Sequence, residues 1–234
     1  MNVTPRSLLI CLAIGIPASI SAHQDHVIEP VPAAAVAPTA PGYGSLGFEA
    51  PKPGTYALPS LGVAADGIVL DGAGTPRHLH DLMSGHTVLL SFIYTSCNDV
   101  NGCPLATYVL GLVQTPISAH PLLKDRVRLL SLSFDPARDT REKMQEYGNR
   151  FRQAGFDWQF LTTAGNSDLH TILDAYGQLT LPERDAEGRV TGNLAHLLRV
   201  YLIDEQLRIR NIYNANFLHP EILVNDILTV LEGE

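Results

Sequence analysis

Residues 89–104 read LLSFIYTSCNDVNGCP and predict a strand, a loop with two cysteines and the start of a helix. The apolar run that ends at Ile93 is typical of a strand covered on both faces. Pro104 suits the first turn of a helix, where its missing N–H costs nothing, so Cys103 is predicted to be the N-cap. Unpaired backbone N–H groups and the helix dipole stabilise a thiolate there. The stretch therefore indicates thiol chemistry, either metal binding or redox exchange.

The chain on both sides of this stretch alternates between strand and helix patterns. Strands are predicted at 87–93, 126–134 and 158–162, with hairpins at 67–79 and 198–213. Helices are predicted at 104–114, about 140–153, 167–176 and 220–231, and Asp139 is interpreted as a cap of the second helix. This alternation implies an α/β fold with a mostly parallel central sheet flanked by helices, and an antiparallel hairpin at one side.

The first 54 residues are predicted to lie outside this domain. Residues 1–22 have one charge, Arg6, followed by an apolar run and a small-residue cleavage point, as in a secretory signal. An uncleaved membrane anchor is the alternative, although the run is shorter than the roughly 20 residues of a spanning helix. Residues 23–54, rich in Pro and Ala, predict a disordered or semi-rigid tether. One domain is expected at 55–234, in the periplasm or otherwise exported.

Composition and cysteine count exclude two classes of protein. The formal net charge is −8, and the sequence has no basic cluster and no Gly-rich phosphate-binding motif, so nucleic acid is not an expected partner. Removal of the signal leaves two cysteines, both in one loop, which is not the pattern of a secreted domain built on a disulfide framework. The two cysteines are therefore predicted to serve chemistry.

Three separated motifs resemble the Sco/SenC family, copper proteins that help to assemble cytochrome c oxidase. They are FIYTSC at 92–97, SFDPARDT at 133–140 and HLLRVYLID at 196–204, in the order and spacing of that family. The resemblance covers most of residues 58–231 and implies a thioredoxin-like fold.

The resemblance implies that Cys97, Cys103 and His196 bind copper and that the two cysteines are redox-active thiols. Two thiolates and one imidazole form a soft donor set that suits Cu(I), and the nitrogen also allows Cu(II). The other histidines, including His219 ahead of Pro220, are interpreted as structural. The sequence therefore predicts a site that holds copper in either oxidation state.

This chain departs from the family pattern at two places. Its cysteines are spaced C-x5-C, where the family usually has C-x3-C, and Ala195 precedes the histidine where Asp is often found. The two extra residues are assigned to Asn101 and Gly102, a pair that favours the positive φ angles of a tight turn. Such a turn is expected to bulge into solvent at little cost.

The function implied by the resemblance is that of a periplasmic copper chaperone. It would deliver copper to, or mature the copper site of, cytochrome c oxidase or another cuproenzyme. Subunit II of the oxidase is the expected client, and a thiol reductant or a copper donor are further possible partners.

A thiol-disulfide reductase that acts on a client's copper-site cysteines is the alternative, so the question of enzymatic activity stays open. Most oxidoreductases of this fold use C-x-x-C and a cis-proline before the later hairpin, whereas no proline occurs here between Pro182 and Pro220. A peroxidase is expected to have Thr where Tyr94 stands. A structural adaptor with a stabilising disulfide would leave His196 unexplained.

Overall fold

The computed structural model describes Met1 and residues 39–233. The predicted signal, apart from Met1, and most of the predicted tether lie outside the described residues, so both stay predictions. Within the described part of the chain, no helix is both long enough and apolar enough to cross a membrane.

The described residues form ten strands and five α-helices. In chain order they are β1 (Gly62–Val63), β2 (Ile68–Leu70), β3 (Pro76–His78), α1 (Leu79–Met83), β4 (Thr87–Ile93), α2 (Cys103–Ala119), β5 (Val127–Ser133), α3 (Arg141–Gly148), β6 (Trp158–Leu161), α4 (Asn166–Ala175), β7 (Thr180–Arg184), β8 (Val190–His196), β9 (Val200–Ile203), β10 (Arg208–Tyr213) and α5 (Pro220–Glu232).

Six of these strands form the central sheet, in the order β1-β10-β9-β4-β5-β6. The strands β4, β5 and β6 are parallel, whereas β9 pairs antiparallel with β4, and β10 with β9. Four strands, β4, β5, β6 and β10, therefore point in one direction. All seven residues of β4 are buried, as expected for a strand inside a sheet with both faces covered. The predicted α/β fold class is confirmed.

Both predicted hairpins are present, but two predicted helix ends are wrong. The helix α2 runs on to Ala119 with Pro116 inside it. The helix α3 ends at Gly148, before the predicted end near 153. The buried side chain of Gln114 in α2 explains the early end, because its amide donates to the Phe151 carbonyl and accepts from the Gln153 N–H. These hydrogen bonds to α2 replace the backbone hydrogen bonds that would have continued α3.

The two-stranded hairpin of β7 and β8, which is separate from the central sheet, was not predicted from the sequence. Most of its residues are exposed, so the alternation of apolar and polar residues that marks a half-buried strand is absent. This omission matters for function, because His196 is the last residue of β8.

Residues 40–54, assigned to the tether by sequence, contact the domain in the structure. A short 3-10 helix spans Pro41–Tyr43. The Gly54 N–H donates to the Thr229 hydroxyl at 3.1 Å, and the Asn225 side chain donates to the Pro51 carbonyl at 2.9 Å. Both bonds attach this segment to α5.

Candidate metal centre

Three side chains predicted to bind metal converge at one end of the sheet. Cys97 lies in the loop after β4, Cys103 is the first residue of α2, and His196 ends β8. Their two Sγ atoms and one imidazole nitrogen all lie within 4.8 Å of one another, and Cys103 Sγ is 3.4 Å from His196 Nε2. A single metal ion could contact all three atoms.

The structure corrects the prediction that Cys103 caps α2 and favours a thiolate. Gly102 is the N-cap, and Cys103 follows it inside the helix with an exposed fraction of 1%. Burial raises the pKa of the Cys103 thiol, because a charged sulfur is poorly solvated there. In the metal-free protein, Cys103 is therefore the thiol that keeps its proton.

Cys97 carries the negative charge of the pair instead. A hydrogen bond from the Cys103 thiol, supported by backbone bonds from Cys103 and Asp99, lowers the pKa of Cys97 to about 6, although burial opposes this shift. Cys97 is also only half buried. A thiolate that is accessible at neutral pH can attack a disulfide or meet an incoming metal ion.

We expect alkylation of metal-free Cys97 to follow a titration with a midpoint near pH 6, because only the thiolate reacts and the pKa is lowered to about 6. The rate should fall as the pH drops through this value. It should be measured with iodoacetamide, with mass spectrometry to locate the label. Replacement of Cys103 by Ala removes the main stabilising hydrogen bond and should move the midpoint up. A wild-type midpoint near the ordinary pKa of a cysteine thiol would contradict the assignment of the thiolate to Cys97.

His196 is held in an orientation that leaves Nε2 facing the cysteines. Its Nδ1 is 3.0 Å from the Leu194 carbonyl, so Nδ1 carries the proton and Nε2 keeps its lone pair for a metal. The ring packs against Tyr94 and Phe134, at centroid distances of 5.6 and 4.9 Å. The Tyr94 hydroxyl accepts from the Leu194 N–H and donates to its carbonyl, which joins the hairpin to the end of β4.

Tyr94 lies at the site, and its role there was not predicted from the sequence. In the sequence this residue spoke only against a peroxidase, whereas the structure places it between the cysteine loop and the strand that ends at His196. Burial raises the pKa of Tyr94 to about 12, so its hydroxyl stays protonated as a donor at neutral pH. The sequence signal for this role was the position of Tyr94, directly after the apolar strand and directly before the cysteine loop.

Asp139 is not the helix cap that the sequence predicted. Thr140 caps α3, since its side chain accepts from the Lys143 N–H. The Asp139 carboxylate, with an exposed fraction of 1%, accepts instead from the Thr95 N–H at 3.0 Å, the Thr95 hydroxyl at 2.5 Å and the Ser133 hydroxyl at 2.6 Å. Asp139 therefore fixes the start of the loop, two residues before Cys97.

We expect Asp139→Asn to lower the free energy of unfolding by about 2 kcal/mol, because the new amide group must face a buried donor and a bond to a charged group is lost. Glu142→Gln is the matched control, because Glu142 pairs with Arg141 at the surface and the loss of such an exposed pair should cost much less. Urea titration of both variants measures the difference. Equal losses of unfolding free energy would show that the buried Asp139 bonds stabilise the protein no more than an ion pair at the surface does.

The loop between the cysteines does form a tight turn, at Val100 and Asn101, but without the positive φ angles predicted for Asn101 and Gly102. Gly102 has a φ of −98°, and no positive φ occurs at Asn101. The Asp99 carbonyl accepts from the Gly102 N–H at 2.9 Å, and its carboxylate from the Asn101 N–H at 3.0 Å. Gly102 is buried and Asn101 half buried, so the expected bulge into solvent is wrong at these two residues.

Among the described residues, three open clefts meet at His196 and give access to the site, and the two larger ones are similar in volume. One of these two, of about 280 Å³, is lined by the cysteine loop and residues 214–216. The other is mainly apolar, with Leu179, Leu181 and Leu197 in its wall. Their position leaves the histidine side of the centre accessible to a partner.

Comparison with known proteins gives one family match. The family described as SCO1/SenC matches residues 69–232. No curated protein matches the chain in sequence.

Solved structures of Sco proteins resemble the chain. Copper-bound ScoI of Arabidopsis thaliana has a TM-score of 0.62 at 17% identity, over 74% of this chain and 99% of that one. Copper-bound yeast Sco1 has a TM-score of 0.61 at 21% identity, over 75% and 91%. BsSco, a Sco-family cytochrome c oxidase assembly protein with a disulfide switch, has a TM-score of 0.58 at 21% identity, over 75% and 98%. At these identities the likeness establishes the thioredoxin-like fold.

Proposed function

The chain belongs to the SCO1/SenC family, and from this premise we propose that it is a copper chaperone that binds copper through Cys97, Cys103 and His196. The observation that carries the proposal is the convergence of two sulfurs and one imidazole nitrogen within 4.8 Å. This donor set fits copper, since thiolates suit Cu(I) and imidazole also suits Cu(II). The copper-bound structures of yeast and Arabidopsis relatives support the same metal.

Each ligand has a distinct role in the proposed binding of copper, which is the cargo. Cys97 offers a thiolate from a half-buried loop, so it can make the first contact with the ion. Cys103 must release its proton as it binds, and copper binding is therefore coupled to proton release. His196 already presents its Nε2 lone pair, because the Leu194 carbonyl holds the proton on Nδ1.

We propose a cuproenzyme as the client, with subunit II of cytochrome c oxidase as the expected one. BsSco is a cytochrome c oxidase assembly protein, which supports this choice. The open clefts beside His196 would admit a client's ligands to the copper. The proposed location is the periplasm or another exported compartment, reached through residues 1–22 as a cleaved signal or as an anchor.

The two cysteines differ in their pKa, which is lowered at Cys97 and raised at Cys103, and this difference favours a second candidate function, a thiol-disulfide reductase. The Cys97 thiolate would attack a client disulfide, release one client thiol and form a mixed disulfide. Cys103 would then attack Cys97, release the second client thiol and leave a Cys97–Cys103 disulfide. The pair loses two electrons and the client disulfide gains them.

Copper titration of the reduced protein distinguishes the two functions. The chaperone proposal expects binding of one copper per chain and, for Cu(II), a charge-transfer band from thiolate to metal. Reduction of a model disulfide should be measured on the same preparation. Failure to bind one equivalent of copper, together with stoichiometric reduction of the disulfide, would overturn the chaperone proposal in favour of the reductase.

A further inference from the structure

The segment at residues 40–44, named here the N-terminal arm, contacts the middle of the loop between the two cysteines. The Ala40 N–H donates to the Asn101 side-chain oxygen at 2.8 Å, and the Tyr43 hydroxyl donates to the Val100 carbonyl at 2.5 Å. These partners are 61 and 57 residues apart in sequence. We propose that the N-terminal arm is a positioning element of the copper site, which holds this loop and through it Cys97.

The arm itself is firmly seated on the domain. At Gly42 an added Cβ would lie 2.3 Å from the Leu218 carbonyl oxygen and 2.9 Å from a Val109 methyl group, so only glycine permits this approach. The Tyr43 ring packs on the Tyr108 ring of α2, with 5.1 Å between centroids. The Gly44 carbonyl accepts from His219 Nε2 at 3.1 Å. Because the arm is held by α2 and by the start of α5, these two helices determine where the arm contacts the loop.

The arm contacts the loop next to its solvent-exposed part. Residues 98–100 are exposed, and the Asp99 bonds described above close only the turn from 99 to 102. Cys103 is fixed as part of α2, whereas Cys97 lies in the loop itself, held by Asp139 at the start of the loop and by its own bonds to Cys103 and Asp99. A loop ordered before the metal arrives loses less conformational entropy on binding. The arm supplies that order at Val100 and Asn101.

Two variants outside the loop test the proposal, which rests on the proposed function at the level of copper binding. Gly42→Ala should displace the arm, and Gly47→Ala is the matched control, since Gly47 lies outside the arm and an added Cβ there meets nothing within 4 Å. Tyr43→Phe removes only the hydroxyl that bonds to Val100. Tyr108→Phe, its control, removes a hydroxyl from the same ring pair and leaves the Val100 bond in place.

Each variant should be measured in two ways. Amide hydrogen exchange at Asn101 and Gly102 in the copper-free protein reports the order of the loop. Competition with a chromophoric chelator for Cu(I) reports the affinity of the site. We expect Gly42→Ala to raise both the exchange rates and the copper dissociation constant about tenfold, and Tyr43→Phe to raise them several-fold, because one or two hydrogen bonds are lost. Neither control should change either quantity.

The outcomes separate this proposal from the proposed function. Wild-type protein that binds no copper would refute the function, while the exchange rates would still decide whether the arm orders the loop. Wild-type protein that binds copper, with exchange and affinity unchanged in Tyr43→Phe and in Gly42→Ala, would overturn the role of the arm. If Gly42→Ala does not fold, the pair Tyr43→Phe and Tyr108→Phe decides alone. A drop in thermal stability without a change in exchange or affinity would also overturn it.

Discussion

Oxidation of Cys97 and Cys103 to a disulfide is expected to abolish copper binding, because both sulfurs must be thiolates to bind the metal. The two Sγ atoms already lie within 4.8 Å of each other, so the bond can form with a small movement of the loop. The protein should be oxidised, checked for the absence of free thiols and titrated with Cu(I) and Cu(II). Reduction of the same sample is the control and should restore binding.

Replacement of either cysteine by Ser should weaken the binding of both Cu(I) and Cu(II). We expect the loss of affinity to exceed the roughly 10–100-fold change that follows the loss of an outer partner of a metal ligand. Acidification should weaken binding too, since protons compete for the sulfurs. Full copper binding by protein without free thiols would show that the metal site lies elsewhere.

The variant His196→Ala is expected to weaken Cu(II) binding strongly and Cu(I) binding less. It removes the nitrogen ligand, while the two thiolates that remain still suit Cu(I). The intensity of the thiolate-to-Cu(II) band and the affinities for the two ions measure this difference. The substitution leaves β8 paired with β7, because that pairing is made by the backbone.

His170→Ala is the matched control for this variant. His170 is exposed on α4 and does not belong to the group formed by the two cysteines and His196. The control should bind both ions as the wild type does. An unchanged Cu(II) spectrum and affinity in His196→Ala would remove this residue from the site and require a different third ligand.

Local patterns in the sequence were sufficient to predict the framework of the fold. The strand at 87–93 has the predicted bounds, and both predicted hairpins are found, because runs of apolar residues and turn residues act over short distances. The two cysteines were singled out by their local stretch, a strand followed by a loop and a helix start, whereas His196 was identified by the order of the family motifs. The structure brings the three side chains together, with ligand atoms within 4.8 Å of one another, and their role as metal ligands stays a prediction.

Only the tertiary structure decided how the charge is divided between the cysteines. The sequence placed the thiolate at Cys103 from its position beside a helix start. The structure places the thiolate at Cys97, because the cost of burying a charge depends on what the rest of the chain packs around each sulfur. The same limit explains why the sequence misjudged Asp139 and missed the N-terminal arm. Their partners, Thr95 and Asn101, lie 44 and 61 residues away, beyond the reach of any local pattern.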